Sequence, residues 1–220
     1  MPGQQKLEAV LFDMDGTLVD TEPYWIAAEY ALVEAHGGTW NDDHAHALIG
    51  SALLDSAAYI RAHGEVELEP ARIVEHLLDD VVASTQREIP WRPGARSLLG
   101  SLAERGVPCA LVTMSYARLA ATMTEQLPSG TFATVVTGDQ VSDGKPHPEA
   151  YLTAMERLGV SAAGSVAIED SPTGVASAEA AGCRVVAVPH RVPIPAAPGR
   201  VMVDSLRSLN VDALAALVAT

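Results

Sequence analysis

Two aspartates, Asp13 and Asp15, come directly after an apolar run of strand length, Ala9 to Phe12. Like charges this close destabilise each other unless a group of opposite charge holds them, and a divalent cation would do so. Carboxylate oxygens suit Mg²⁺, and open α/β sheets bind ligands at the carboxyl ends of their strands. Gly16 would let the backbone turn tightly towards a ligand, and Thr17 could donate a hydroxyl hydrogen bond. The alternative is a plain turn, which explains Gly16 and one aspartate but not both.

A second acidic pair, Glu169 and Asp170, follows the apolar run Ser165 to Ile168. In a doubly wound sheet the end of this strand can lie beside the first, which would bring Asp170 to the same metal ion. Glu169 is either a direct ligand or acts through another residue or a water molecule. Ser171 would cap the helix that follows, and the alternative is that Asp170 is only a second helix cap.

A lysine and two hydroxyl residues complete the set of side chains that could take part in a reaction. Lys145 is one of two lysines in the chain, and Pro146 after it favours an extended backbone. Its ammonium could neutralise phosphate oxygens and the carboxylates, although a solvated loop residue is the alternative. Thr113, Met114 and Ser115 follow another apolar run, where a hydroxyl and free backbone N–H groups make an anion site. A hydroxyl that merely caps a helix is the alternative there.

These residues need a sheet that brings the ends of several strands together. Outside residues 20–90, apolar runs of strand length alternate with helical patterns, and the runs are near-continuous, as in sheets covered on both faces. The alternation predicts a doubly wound, mainly parallel α/β core of the Rossmann-like type. The predicted strands are 9–12, 108–113, 134–137, 165–168, 184–188 and 200–203, and the predicted helices are 93–105, 115–126, 148–158 and 171–181.

Residues 20–90 interrupt this alternation. They show helical patterns at 24–36, 42–48, 53–62 and 70–85 without a convincing strand, and prolines with a glycine at 90–94 mark the return to the core. We therefore expect an α-helical cap domain, 20–90, inserted into a core domain formed by 1–19 and 91–220.

The charge balance excludes some classes of function. Lysine and arginine number 14 against 28 acidic residues, a formal net charge of −14, which disfavours binding to nucleic acid. The sequence has neither the roughly 20 consecutive apolar residues of a membrane helix nor the pattern of a signal peptide, so we expect a cytoplasmic protein without a membrane partner.

The acidic excess lies mainly in the predicted cap. Residues 20–90 contain 14 acidic residues and three arginines, a net charge of −11. This predicts a substrate with one phosphate and a neutral or cationic remainder, because a second phosphate would find few cations there. The alternative is that these carboxylates only solvate the outer faces of the cap helices.

Together, and in this order, the motifs resemble those of the haloacid dehalogenase superfamily. The specific match is to its subgroup with a helical cap after the first motif, the β-phosphoglucomutase and phosphoglycolate phosphatase-like branch. The resemblance covers residues 9–187 and is carried by Asp13-x-Asp15-Gly16-Thr17, Lys145-Pro146 and Glu169-Asp170.

The resemblance implies a role for each of five residues. Asp13 would attack phosphorus to give an aspartyl-phosphate, and Asp15 would protonate the leaving oxygen and then deprotonate water. Mg²⁺ would be held by Asp13, the backbone carbonyl of Asp15 and Asp170. Thr113 and Lys145 would bind the transferring phosphoryl oxygens, with Lys145 also holding Asp13. The candidate substrate contacts are Gly16, Thr17, Met114, Ser115 and Lys145.

We therefore predict a Mg²⁺-dependent phosphatase that acts on a small phosphorylated metabolite, as a monomer or weak homodimer. One alternative is a hexose phosphomutase, and another is a non-catalytic binding or regulatory protein on the same fold. The sequence departs from the family pattern at two places. Met114 replaces a small polar residue, and Tyr116 and Ala117 stand where the mutase branch has lysine and asparagine, which disfavours the mutase.

Specificity in this subgroup resides in the cap, which shuts over the site. For each cap candidate the alternative is packing against the core or a solvated helix face. The candidates are Tyr24, Trp25, the turn Leu48-Ile49-Gly50-Ser51, Arg61 and His63.

Overall fold

Six parallel strands form the central sheet of the computed structural model, which describes residues 6–49 and 51–219. The strand order is β3-β2-β1-β4-β5-β6, so the sheet is doubly wound and the predicted fold class is confirmed. The strands are β1 (Ala9–Phe12), β2 (Cys109–Val112), β3 (Thr134–Val136), β4 (Ser165–Glu169), β5 (Arg184–Ala187) and β6 (Arg200–Met202).

Nine α-helices accompany the sheet in the described residues. Four lie within the range predicted for the cap: α1 (Glu22–Ala35), α2 (Asp42–Leu48), α3 (Leu53–His63) and α4 (Pro70–Arg87). The other five flank the sheet: α5 (Ala95–Glu104), α6 (Ala117–Thr124), α7 (Glu149–Leu158), α8 (Pro172–Ala180) and α9 (Val211–Val218). Helix α9 was not among the helices predicted from the sequence. None of the helices in the described residues has the length and apolar character needed to cross a bilayer.

Strand β1 lies in the middle of the sheet because every one of its residues is apolar and can be buried on both faces. Val10 and Phe12 pack into one hydrophobic cluster, and Ala9 and Leu11 pack into another on the opposite face. β1 pairs with β2 on one side and with β4 on the other, with Phe12 opposite Ile168. The chain runs outwards in both directions from this pair, so the ends of β1 and β4 flank the crevice where ligands bind in such sheets.

Two short linkers connect the cap helices to the core. The backbone N–H of Asp20 donates to the carbonyl of Pro90 at 2.9 Å, and that of Arg92 donates to the carbonyl of Leu18 at 2.8 Å. The outgoing and returning chains therefore lie side by side. Arg118 of α6 also forms an ion pair with Asp79 of α4, which joins the core to the helices of the predicted cap. That residues 20–90 form a separate domain stays a prediction.

Leu102 of α5 offers a test of the packing between helices and sheet, because its side chain has no exposed surface. Leu102→Ala should lower the free energy of unfolding by about 2–5 kcal/mol, through lost burial and the cavity left behind. Leu152→Ala in α7 is the matched control, since Leu152 is 48% exposed and should cost less than about 0.5 kcal/mol. Urea denaturation measures both, and equal losses would contradict the burial described.

Candidate active site

The ends of β1 and β4 bring the two acidic pairs together. The backbone N–H of Asp13 donates to the carbonyl of Ile168 at 3.1 Å, which continues the pairing of the two strands. Carboxylate oxygens of Asp13, Glu169 and Asp170 lie within 4.8 Å of one another. Three acidic side chains this close in a buried place repel one another unless cations compensate them.

Lys145 supplies one such cation. Its Nζ donates to Asp13 Oδ1 at 2.8 Å, to Glu169 Oε1 at 2.6 Å and to the carbonyl of Val112 at 2.9 Å. Burial acts to lower the pKa of Lys145, but the two carboxylates outweigh it and hold the pKa above its ordinary value. The ammonium therefore stays charged, and each of its three N–H groups has an acceptor in the protein.

Glu169 is enclosed on every side. Its Oε1 also accepts a hydrogen bond from the Tyr151 hydroxyl at 2.7 Å, and its Oε2 accepts one from the Ser171 hydroxyl at 3.3 Å. A Cβ at Gly174 would lie 2.0 Å from this carboxylate, so only glycine leaves room for it. Burial, followed by the charge of Asp13, raises the pKa of Glu169.

Three hydroxyl groups surround Asp15. Thr21 donates to Oδ1, while Ser115 donates to Oδ2 at 2.7 Å and Thr113 to the same oxygen at 3.3 Å. Burial is the largest influence on this carboxyl and raises its pKa, the Thr21 hydrogen bond opposes that effect, and the charge of Asp13 adds to it. Thr113 and Ser115 were predicted as phosphate contacts, and in this structure their hydroxyls hold Asp15. Thr21 was not among the site residues predicted from the sequence.

Asp170 lies directly against the turn that follows Asp15. Gly16 has a φ of +85°, and a Cβ there would lie 2.0 Å from Asp170 Oδ2, so both the backbone conformation and the close approach require glycine. Burial, then the charges of Asp13 and Glu169, raise the pKa of Asp170 to about 9. Within the described residues, Asp13 Oδ2 is buried and accepts no hydrogen bond. An orphaned carboxylate oxygen beside two further carboxylates fits a hard cation such as Mg²⁺.

A cavity of about 300 Å³ lies between these residues and the cap. Asp13, Asp15, Lys145 and Asp170 line its core side, together with the predicted contacts Gly16, Thr113, Met114 and Ser115. The sulfur of Met114 accepts a hydrogen bond from the backbone N–H of Lys145 at 3.2 Å, so this side chain supports the lysine loop.

Similarity to known proteins agrees with this arrangement. Residues 10–188 match the family model described as haloacid dehalogenase-like hydrolase. The chain belongs to the haloacid dehalogenase-like hydrolases. The resemblance inferred from the motifs is thereby confirmed, and the hydrolase is an enzyme of the phosphoric monoester hydrolase class.

Two curated relatives of this hydrolase are phosphatases by name. One is the phosphorylated carbohydrates phosphatase of Thermotoga maritima, 31% identical, with 84% of this chain and 86% of the relative covered. The other is hexitol phosphatase A of Escherichia coli, 31% identical, with 83% of each chain covered.

The fold of the hydrolase is also that of CbbY from Rhodobacter sphaeroides. A crystal structure of CbbY in complex with phosphate is 28% identical with a TM-score of 0.86, covering 94% of this chain and 99% of that one. A variant of CbbY, 27% identical to this chain, has been solved with xylulose-(1,5)bisphosphate.

Some residues predicted from sequence lie away from the cavity. Thr17 is fully buried, its hydroxyl makes no hydrogen bond within the described residues, and it does not line the cavity. The structure therefore does not place Thr17 where it could contact a substrate in this cavity. The Tyr24 hydroxyl donates to the carbonyl of Glu88 at 3.1 Å, Arg61 pairs with Glu69, and His63 stacks on Tyr59. These three cap candidates do not line the cavity either.

Other cap candidates do lie on the cavity wall. Trp25, Leu48, Ile49 and Ser51 line it, whereas Gly50 of the same turn lies outside the described residues. Contact of these side chains with a substrate stays a prediction.

The loop after β5 adds two residues that the sequence analysis missed. His190 and Arg191 both line the cavity. Arg191 Nη2 donates to both carboxylate oxygens of Asp20 at 3.1 Å, and His190 Nε2 lies 3.0 Å from Asp20 Oδ1. Burial acts to raise the pKa of Asp20, but these two partners outweigh it and lower the pKa. The sequence signal was available, since this loop follows a predicted strand at the same edge of the sheet as the other site residues.

Two carboxyl groups of α1 face the core residues across the cavity. Glu22 and Glu29 both line it. Burial, followed by the charge of Asp15, raises the pKa of Glu22 to about 7. Burial also raises the pKa of Glu29 to about 8. The hydrogen bond from Trp40 acts to lower this pKa, and the charge of Glu22 acts to raise it further. The cap side of the cavity is therefore acidic and holds protons near neutral pH.

The raised pKa of Glu29 predicts a pH dependence of stability. Between the ordinary value of 4.5 and about 8, the folded chain holds a proton that the unfolded chain has lost, so stability falls as pH rises through this range. Glu29→Gln lacks this titration. The melting temperature of the variant relative to the native protein should therefore rise from pH 5 to pH 9, by at least about 2 °C.

Glu34→Gln is the matched control, because Glu34 lies exposed on the same helix. Its difference from the native protein should not change with pH. A difference for Glu29→Gln that is equally flat between pH 5 and pH 9 would contradict the burial of that carboxyl.

Proposed function

We propose that this hydrolase uses Mg²⁺ to remove phosphate from a small phosphorylated sugar or sugar alcohol, through an aspartyl-phosphate formed on Asp13. The observation that carries the proposal is the environment of Asp13. One of its oxygens is bound by a buried lysine, and the other has no hydrogen-bond partner among the described residues. The names of two relatives, a phosphatase for phosphorylated carbohydrates and a hexitol phosphatase, support the substrate class.

Asp13 is positioned to act as the nucleophile. It lines the cavity at the end of β1, and its ion pair with Lys145 fixes the carboxylate and stabilises its negative charge. An oxygen of Asp13 attacks phosphorus, a new oxygen–phosphorus bond forms, and the bond from phosphorus to the leaving oxygen breaks. Lys145, which is protonated throughout, lowers the repulsion between the anionic nucleophile and the anionic ester.

Asp15 is suited to the proton transfers. Its carboxyl is buried, and burial raises its pKa, which favours the protonated form that donates to the leaving oxygen. The resulting carboxylate then accepts a proton from water, which attacks phosphorus, breaks the bond to Asp13 and releases phosphate. The hydroxyls of Thr21, Thr113 and Ser115 hold the carboxyl in one orientation through both steps.

The acidic cluster fits Mg²⁺, as the orphaned oxygen of Asp13 indicates. Asp13, the backbone carbonyl of Asp15 and Asp170 would hold the ion. When bound, Mg²⁺ offsets the negative charge of the nucleophile and the transferring phosphoryl group. Gly16 admits Asp170 to this place, since any larger residue would occupy the position of its carboxylate.

Glu169 acts through Lys145 rather than on the metal. Both of its oxygens already accept hydrogen bonds, from Lys145, Tyr151 and Ser171. Its charge compensates the buried ammonium and keeps it directed at Asp13. We therefore treat Glu169 as a positioning residue.

Substitution of the nucleophile tests the proposal. Asp13→Asn should lower the rate of phosphate release from sorbitol 6-phosphate with Mg²⁺ by at least about a thousandfold, since the amide cannot form the acyl phosphate. Chelation of divalent cations should abolish the native activity. Asp80→Asn, on the exposed face of α4, is the matched control and should keep the native rate. Activity that survives Asp13→Asn would overturn the mechanism.

A second assay separates the phosphatase from the phosphomutase. With β-glucose 1-phosphate, we expect release of inorganic phosphate and no accumulation of glucose 6-phosphate, because Tyr116 and Ala117 replace the lysine and asparagine of the mutase pattern. Both products are measured in the same reaction. Formation of glucose 6-phosphate faster than phosphate would favour the mutase.

A further inference from the structure

The face of helix α1 that lines the cavity carries two carboxyl groups. Glu22, Trp25 and Glu29 are three and seven residues apart, which places them on one face of the helix, and all three line the cavity. A face that packs inside a protein is ordinarily apolar, and burying a carboxyl group without partners is costly. Two carboxyl groups on this face therefore call for a ligand with polar groups of its own.

Glu29 is the more deeply buried of the two. Only 4% of its surface is exposed. Its Oε2 accepts a hydrogen bond from the indole N–H of Trp40 at 3.3 Å, and no other described residue donates to the carboxyl group. One oxygen is thus available on the wall of the cavity, opposite the core residues that would bind the phosphoryl group.

We infer that Glu29, with Glu22 beside it, binds hydroxyl groups of the substrate's leaving group and selects uncharged, polyhydroxylated monophosphates. This inference rests on the proposed function and adds the specificity of the same site. It assigns a substrate contact to the middle of α1, beyond the first turn of the helix.

The chemistry of a buried carboxyl matches that of a sugar hydroxyl. A protonated carboxyl donates one hydrogen bond and accepts others, and a hydroxyl does the same. The raised pKa values of Glu22 and Glu29 keep this protonated form available near neutral pH. A substrate without hydroxyl groups at this place would leave the carboxyl groups unpaired, which costs binding free energy.

The same wall disfavours a second phosphate. Among the described residues that line the cavity, the lysine and arginine side chains are Lys145 and Arg191. Lys145 is bound to Asp13 and Glu169, and Arg191 is bound to both oxygens of Asp20. A distal phosphate would lie against two carboxyl groups and would have to break an existing ion pair to find a cation.

The acidic residues of the cap fall into two groups, those that line the cavity and those that do not. Of the 14 acidic residues in 20–90, Glu22 and Glu29 line the cavity and the others do not. Most of the acidic excess therefore lies away from the cavity, as expected if these carboxylates solvate the outer faces of the cap helices. The part that bears on the substrate is the pair on α1.

A ratio of specificity constants tests the inference. For the native enzyme and each variant, kcat/KM with Mg²⁺ is measured for sorbitol 6-phosphate and for 4-nitrophenyl phosphate, which has no hydroxyl groups on its leaving group. Glu29→Leu should lower the ratio of the first to the second about tenfold or more, because leucine of similar size cannot pair with a hydroxyl. Glu29→Gln, which can donate and accept, should stay within about threefold of the native ratio. Glu34→Gln, on the exposed part of α1, is the control and should leave the ratio unchanged.

A merely structural role for Glu29 would lower both specificity constants together and leave their ratio unmoved. A ratio for Glu29→Leu within threefold of the native value therefore overturns the inference while the phosphatase function stands. If the native enzyme hydrolyses neither ester, the proposed function fails and the inference fails with it.

A comparison of two phosphates of fructose tests whether the site disfavours a second phosphate group. The native enzyme should have a higher kcat/KM for fructose 6-phosphate than for fructose 1,6-bisphosphate. Preference for the bisphosphate, the type of ligand bound in the CbbY variant, would overturn the claim that this site selects monophosphates.

Discussion

The ion pairs of Lys145 with Asp13 and Glu169 are the interaction on which the site depends. A buried ammonium requires compensating negative charge, and a cluster of buried carboxyl groups requires a cation. The lysine and the carboxyl groups therefore stabilise each other. The geometry leaves little freedom. The Lys145 ammonium donates hydrogen bonds to groups at the ends of three adjacent strands. These acceptors are Asp13 after β1, the carbonyl of Val112 at the end of β2, and Glu169 at the end of β4. The strand order 2-1-4 is therefore a condition for the site as well as a feature of the fold.

The remaining parts of the site follow from this cluster. Glycine at 16 and at 174 leaves space for the carboxylates of Asp170 and Glu169, where any side chain would collide with them. On the other side of the cavity, the cap contributes carboxyl groups in place of cations. In the proposed function, the core would bind the phosphoryl group and the cap would offer hydrogen bonds to the rest of the ester.

Much of this could be predicted from the sequence. The strands and the acidic motifs are local patterns, since apolar runs and turn residues specify them within a few positions, and helix α2 has the bounds expected from its pattern. The hydrogen bond from Thr21 to Asp15 could not be predicted in this way, because it depends on the path of the chain between β1 and α1. The loop of Arg191 could be placed at the right edge of the sheet, but its ion pair with Asp20 and the position of Glu29 on the cavity wall depend on how distant segments pack. Thr17 shows the limit of a motif, since it belongs to the first motif and yet lies outside the cavity wall. Helix α9, which begins after Asn210, carries a capping signal that was overlooked.

Phosphorylation of Asp13 during turnover is the step that defines the proposed mechanism, and mass spectrometry of the acid-quenched enzyme detects it. We expect one phosphoryl group on the peptide that contains Asp13 when native enzyme is quenched during hydrolysis of sorbitol 6-phosphate, and none in Asp13→Asn. A phosphoryl group on a different residue, or its absence while phosphate is being released, would rule out Asp13 as the nucleophile.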